Sequence, residues 1–166
     1  VYLLHGDLTD EEMNKLYNHP KVKAFVSLTH GEGYGRPLQE ASMVGLPIMV
    51  SGWSGHLDFL NPNLSLILPG KLEKVPESAV WKDIIIPESQ WFVSDSNMVY
   101  KGFNLLFNEY KTYKDKANEL MKINRDKFTL HNMSDILKDI MRSYLRSQPT
   151  QVNLKLPKLK KVKESV

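Results

Sequence analysis

Ala24-Phe25-Val26-Ser27-Leu28-Thr29-His30-Gly31-Glu32-Gly33-Tyr34-Gly35-Arg36-Pro37-Leu38-Gln39-Glu40 is the stretch that decides the fold. Its opening run, Ala24 to Leu28, has the length and apolar character of a buried strand. A turn follows in which Gly31, Gly33 and Gly35 alternate with Glu32 and Tyr34. Beyond it, Pro37-Leu38-Gln39-Glu40-Ala41-Ser42-Met43-Val44-Gly45-Leu46-Pro47 reads as a short helix, with Pro37 at its first position and Gly45 at its C-terminal cap. A glycine-rich turn between strand and helix is the place where α/β folds hold phosphorylated ligands.

The start of that helix lacks a strong cap, because Arg36 occupies the position where Ser, Thr, Asp or Asn is preferred. Its first backbone N–H groups need a partner from elsewhere, and an anion can supply one. Glu40 lies about one turn in, and helical side chains tilt toward the N-terminus, which aims its carboxylate at the same mouth. Two carboxylates beside an anion-attracting helix start make poor sense for phosphate alone. They suit a ligand that carries hydroxyls next to phosphate, a ribose or a hexose, because each charge-assisted hydrogen bond contributes about 1.5–3 kcal/mol.

Working outward, strands are expected at residues 1–6, 24–29, 47–51, 64–68 and 91–93, with helical segments between several of them. Such alternation indicates βαβ units and a mostly parallel sheet. Thr9-Asp10-Glu11-Glu12 is a capping box that starts a helix ending near His19-Pro20. Ser54 to Leu60 reads as a short helical turn stopped by Asn61-Pro62, and residues 69–90 as an irregular insert or hairpin. From Asp95 to Leu145 the chain is read as mainly helical. Tyr100, Phe103, Leu106 and Phe107 are expected on a core face, and Asn132 is expected to cap a last helix striped with Ile136, Leu137, Ile140, Met141 and Leu145. Residues 1–146 are read as one domain. The basic tail, 147–166, with Pro149, Pro157 and five lysines, is read as disordered.

The composition narrows the possible functions. The chain has 166 residues, 42% hydrophobic and 25% charged, which supports a folded domain with a real core. No apolar run approaches the ~18–20 residues that cross a bilayer, and no signal peptide is recognisable. Cysteine is absent, which excludes disulfides, thiolate metal sites and cysteine nucleophiles within the sequence. There is no Asp-x-Asp and no His pair at ligand spacing, so no metal or other cofactor is expected. A net charge of +3 is too small to point to nucleic acid, and no nucleic-acid partner is expected. These features suit a cytoplasmic location, with peripheral attachment to a membrane left open.

The motif set resembles the Glu-x7-Glu signature of retaining GT-B glycosyltransferases, the glycosyltransferase group 1 family. Glu32-Gly33-Tyr34-Gly35 is similar to its Glu-Gly-Phe-Gly, and Leu38 to Pro47 to its Leu-Leu-Glu-Ala-Met-Ala-Ser-Gly-Leu-Pro run. Gly6 to Tyr17 resembles its Gly-x-Val-x-x-Glu-Glu-Leu-x-x-Leu-Tyr stretch. Ser51 to Asp58 resembles its Gly-Gly-x-x-Glu loop, with Ser54-Gly55 for the paired glycines and Asp58 for the Glu. The resemblance covers roughly residues 1–145 and implies a Rossmann-like parallel sheet with flanking helices, the C-terminal, donor-binding half of a GT-B fold.

The activity implied is retaining transfer of a sugar from a nucleoside diphosphate sugar to a glycan, lipid or protein acceptor. On that resemblance the N-terminal acceptor domain and the opening strand-helix unit, which carries an Arg and Lys pair for the diphosphate, lie outside this sequence. The chain by itself is then expected to bind nucleotide without transferring sugar. Glu32 is the implied catalytic contact to the donor sugar, and Glu40 accepts both ribose hydroxyls. Gly33, Tyr34, Gly35 and Arg36 turn backbone N–H groups toward sugar and diphosphate. Tyr34 either packs on the sugar or fills the turn, Thr29 either touches the donor or caps the turn, and His56 lies near the mouth. Two alternatives are a catalytically silent nucleotide-sugar-binding module and an unrelated Rossmann-like dinucleotide enzyme. Against the latter, Gly31, Gly33 and Gly35 do not have Gly-x-Gly-x-x-Gly spacing.

Overall fold

A computed structural model describes residues 2–145, and the expected tail at 147–166 lies outside them. The chain divides into two compact units, the first running to Thr129 and the second beginning at Leu130. The first unit is an α/β fold. Its elements are α1 (Asp10–Tyr17), β1 (Phe25–Ser27), α2 (Arg36–Met43), β2 (Ile48–Ser51), β3 (Leu66–Leu68), β4 (Gly70–Lys74), β5 (Gln90–Ser94), α3 (Ser96–Asn108) and α4 (Tyr110–Lys127). The second unit holds α5 (Leu130–Tyr144).

Strands β1, β2 and β3 form a parallel sheet in that order, with Phe25 opposite Ile48 and Val50 opposite Ile67. All four residues of β2 are buried, as expected of a central strand covered on both faces. Its side chains alternate between two cores. Ile48 and Val50 join Tyr17, Leu38, Ala41 and Leu120, the faces of α1, α2 and α4. Met49 points the other way, to Leu68 and to Leu106 of α3. Helices on both faces of a parallel sheet make the unit Rossmann-like. Each fully buried side chain of this kind contributes about 1.5–3 kcal/mol, as an upper bound.

Local signals explain the helix ends. Thr9 and Glu12 form the complete capping box, and the paired Thr9 groups hold the Glu12 carboxyl below its usual range. Asp95 caps α3 by accepting from Asn97 N and Met98 N at 2.8 and 3.0 Å. After α2, Gly45 N donates to Ser42 O and Leu46 N to Ala41 O, which is the Schellman arrangement with Gly45 just past the C-cap.

Several expectations are corrected. Residues 2–6 form no strand, and Tyr2 and Leu3 are almost fully exposed. An apolar run becomes a strand only by pairing, and no ladder reaches it. Helix α2 begins at Arg36, so Gly35 and not Arg36 is its N-cap. Pro37 is tolerated at the second position because the N–H it lacks would have had no intrahelical partner. Strand β5 pairs antiparallel with β4 in a separate two-stranded sheet, which closes the 69–90 insert as a hairpin with an isolated Trp81–Ile85 bridge.

On α3 only Leu106 of the four expected core residues is buried. The covered stripe runs through Met98, Val99, Gly102 and Leu106, while Tyr100, Phe103 and Phe107 are exposed. Phe103 and Phe107 overhang β1, the sheet's edge, and line a shallow groove with Ala24 and Val26. The three-stranded sheet is too narrow to cover them. In the second unit, Asn132 lies inside α5 rather than capping it. Ile136, Leu137, Ile140 and Met141 stand exposed along that helix, and Asp135 and Asp139 pair with His131, Lys138 and Arg142 one turn away.

Candidate functional site

The loop from Leu28 to Gly35 leaves the C-terminal end of β1 and is tied down at several points. Ser51, at the end of β2, donates its hydroxyl to Thr29 O at 2.8 Å. Ser54 donates to Glu32 O at 2.6 Å and accepts from Glu32 N at 3.2 Å, and Gly55 N donates to the same carbonyl at 3.0 Å. The two loops touch backbone to backbone. A Cβ at Gly55 would lie 2.0 Å from Gly33 O, so only glycine fits there. On the other side, Phe92 N of β5 donates to His30 O, and His30 Nδ1 meets Phe92 O at 2.7 Å. The His30 imidazole stacks on Trp91 at 3.9 Å. The hairpin therefore braces the site loop.

The loop ends at Gly35, which takes φ +85° and turns the chain into α2. Lacking a side chain, Gly35 cannot cap the helix, and no acidic residue occupies the first turn. The N–H groups of Arg36 and Leu38 stand at a helix start that no side chain caps. This is the anion-attracting geometry expected from the sequence, displaced by one residue.

Glu40 sits one turn further on, in the wall of a cleft of about 750 Å³. Met13, Asn14 and Tyr17 of α1 form one side of the cleft, with Arg36 and Glu40 of α2 and Arg125 of α4 opposite. The Tyr17 hydroxyl donates to Glu40 Oε2 at 3.2 Å, while Arg36 Nη2 lies 3.8 Å from Glu40 Oε1. Burial, and then the neighbouring Glu40 charge, push the Tyr17 phenol up to about 12, so it remains a donor at neutral pH. Arg125 Nε donates to Met43 O at 2.6 Å, anchoring its guanidinium at the rim. A cleft of this size, with two arginines and the carboxylates of Asp10 and Glu40 in its wall, has room and polar groups for a ligand bearing both phosphate and hydroxyls.

Arg36 and Glu40 thus share the cleft. Thr29 and Glu32 form a separate pair, with Thr29 Oγ1 donating to Glu32 Oε1 at 3.0 Å. Gly33 and Tyr34 lie between the two groups on the exposed turn. The Tyr34 ring packs against Phe59 at 5.1 Å and its hydroxyl accepts from Gln39 Nε2 at 2.6 Å, while burial raises the phenol above its usual range. His56 is fully buried, behind Gly35 rather than at a surface. Its Nε2 donates to Ser51 O at 2.7 Å, and Nδ1 has no partner among the described residues.

Sequence reasoning missed Tyr17, Asn14, Ser54 and Arg125, which enter from loops and helices distant along the chain. For Tyr17 a signal existed, since Met13 and Tyr17 are four apart on the face that α1 turns inward. Among the described residues no three His, Cys, Asp or Glu side chains converge as a metal site, and no helix is long and apolar enough to cross a membrane. No protein-family model matches the chain, and no curated protein matches it either.

Proposed function

We propose that this chain contains the donor-nucleotide domain of a retaining GT-B glycosyltransferase. One observation carries the reading: Glu40, held by Tyr17 in the wall of a 750 Å³ cleft, lies one turn from a helix start that no side chain caps. The motif resemblance across residues 1–145 supports it. In this reading Glu40 accepts the ribose hydroxyls of a nucleoside diphosphate sugar, and the diphosphate lies at the start of α2. Glu32, steadied by Thr29, orients the sugar.

The reaction breaks the bond between the sugar's anomeric carbon and the diphosphate oxygen and forms one to an acceptor hydroxyl on the same face. The acceptor proton passes to the departing phosphate, so no protein nucleophile is required. The N–H groups of Arg36 and Leu38 stabilise charge growing on the leaving group. Glu32 and Glu40 contribute by holding sugar and nucleotide in register.

Calorimetric titration with UDP, GDP and ADP tests the assignment. Selective binding of one nucleotide, weakened by Glu40→Ala, is the expected result. Failure of all three to bind, or binding indifferent to Glu40→Ala, overturns it.

A further inference from the structure

We infer that Tyr17 is a positioning residue for Glu40, and that it sets the preference of the cleft for ribose over 2′-deoxyribose. The inference rests on the donor-nucleotide reading above. Glu40 has two protein partners of opposite character. Arg36 approaches Oε1 at 3.8 Å through a side chain that is 84% exposed, so that contact is easily exchanged for water. Tyr17 holds Oε2 from a ring that is 7% exposed and packs against Phe25 at 6.2 Å. The ring is fixed by the core formed by α1, α2 and β2, so its hydroxyl has little freedom.

A carboxylate on an open helix face samples several rotamers, and a ligand must select one. An ionised carboxylate offers about four lone-pair sites. Tyr17 uses one of them and leaves the others for a ligand in the cleft that Glu40 lines. Because the phenol stays protonated, it cannot add a second negative charge that would repel a diphosphate. In this role Tyr17 acts on the ligand through Glu40. It acts by fixing the acceptor geometry for a pair of neighbouring hydroxyls.

The test compares affinities for UDP, GDP and ADP with those for their 2′-deoxy forms, in wild type and in Tyr17→Phe, which keeps the buried ring. For the nucleotide that binds, wild type is expected to favour the ribose form about tenfold, the worth of one charge-assisted hydrogen bond at its low end. Tyr17→Phe is expected to cut that ratio to about twofold or less, weakening the ribose form more than the deoxy form, which keeps only its 3′-hydroxyl on Glu40. An undiminished ratio in Tyr17→Phe overturns the positioning role and leaves the donor reading intact. Equal losses for both forms also overturn it, because they mark general support of the cleft. A wild-type chain that does not distinguish the two sugars overturns the donor reading itself. Glu40→Gln and the double variant complete a cycle, and strictly additive effects on the ratio count against the inference.

Discussion

The Ser54 hydroxyl grips both backbone groups of Glu32, donating to its carbonyl at 2.6 Å and accepting from its amide at 3.2 Å. Ser54 does so at φ +90° and ψ −168°, a conformation natural to glycine alone. Two opposing effects meet at this residue. Ser54→Ala loses the hydroxyl and keeps the backbone strain, so a loss of about 1–3 kcal/mol is expected. Ser54→Gly loses the same hydroxyl but relieves the strain, and should be the more stable of the two variants. Urea unfolding with an unchanged m-value measures both, and the reverse order would show that the strain is absent.

On the proposed donor reading, Glu40→Ala removes the acceptor of two ribose hydroxyls. At about 1.5 kcal/mol each the loss is about 3 kcal/mol, or roughly a hundredfold in affinity for the nucleotide that binds. Arg36→Ala should weaken binding less, because the Arg36 side chain is largely in solvent. Calorimetry on both variants checks the ranking.

Asn124 is 1% exposed and donates to Ser42 Oγ at 2.8 Å and to Phe59 O at 3.2 Å, joining α4 to α2 and to the segment that follows β2. Asn124→Leu is expected to cost about 1–3 kcal/mol for each buried group left unpaired. Ser42 Oγ keeps its donation to Gln39 O in that variant, and Ser42→Ala removes the other partner of the same Asn124–Ser42 bond, so the pair should cost less than the sum of the single variants. Chemical denaturation of the four proteins measures the coupling.

The Tyr17 phenol titrates near 12 in the folded chain against 10.0 for the free side chain. The protonated form is the one favoured by folding. Its contribution to stability is therefore complete below about pH 10 and disappears as pH rises toward 12. Wild type should lose stability across that interval faster than Tyr17→Phe. Parallel alkaline slopes in urea melts at pH 8–12 would show that neither burial nor the neighbouring Glu40 raises the Tyr17 phenol.

Features written in contiguous residues were legible before the structure. The Thr9–Glu12 box, Gly45 after α2 and the glycine turn at 31–35 all act within a few positions of themselves. The uncapped start of α2 was legible for the same reason, apart from a one-residue shift of the N-cap from Arg36 to Gly35. Features that depend on what lies opposite were not. Tyr2, Leu3 and Leu4 have the pattern of a strand, but pattern does not supply a neighbour. Phe103 and Phe107 have the spacing of a core face, but the sheet stops at β1. The buried position of His56 depends on Gly35, and the grip on Glu40 comes from Tyr17, 23 residues away.

The stack of His30 on Trp91 gives the molecule an optical reporter. An imidazole in face-to-face contact quenches indole emission, and His30 belongs to the loop that carries Glu32. Any ligand that pulls this loop away from β5 brightens Trp91, and any ligand that presses it closer dims it. Trp53 stacks on Phe92, whose backbone is bonded to His30, so a second indole reports on the same loop, and occupancy can be followed by light alone, without a label attached to the protein.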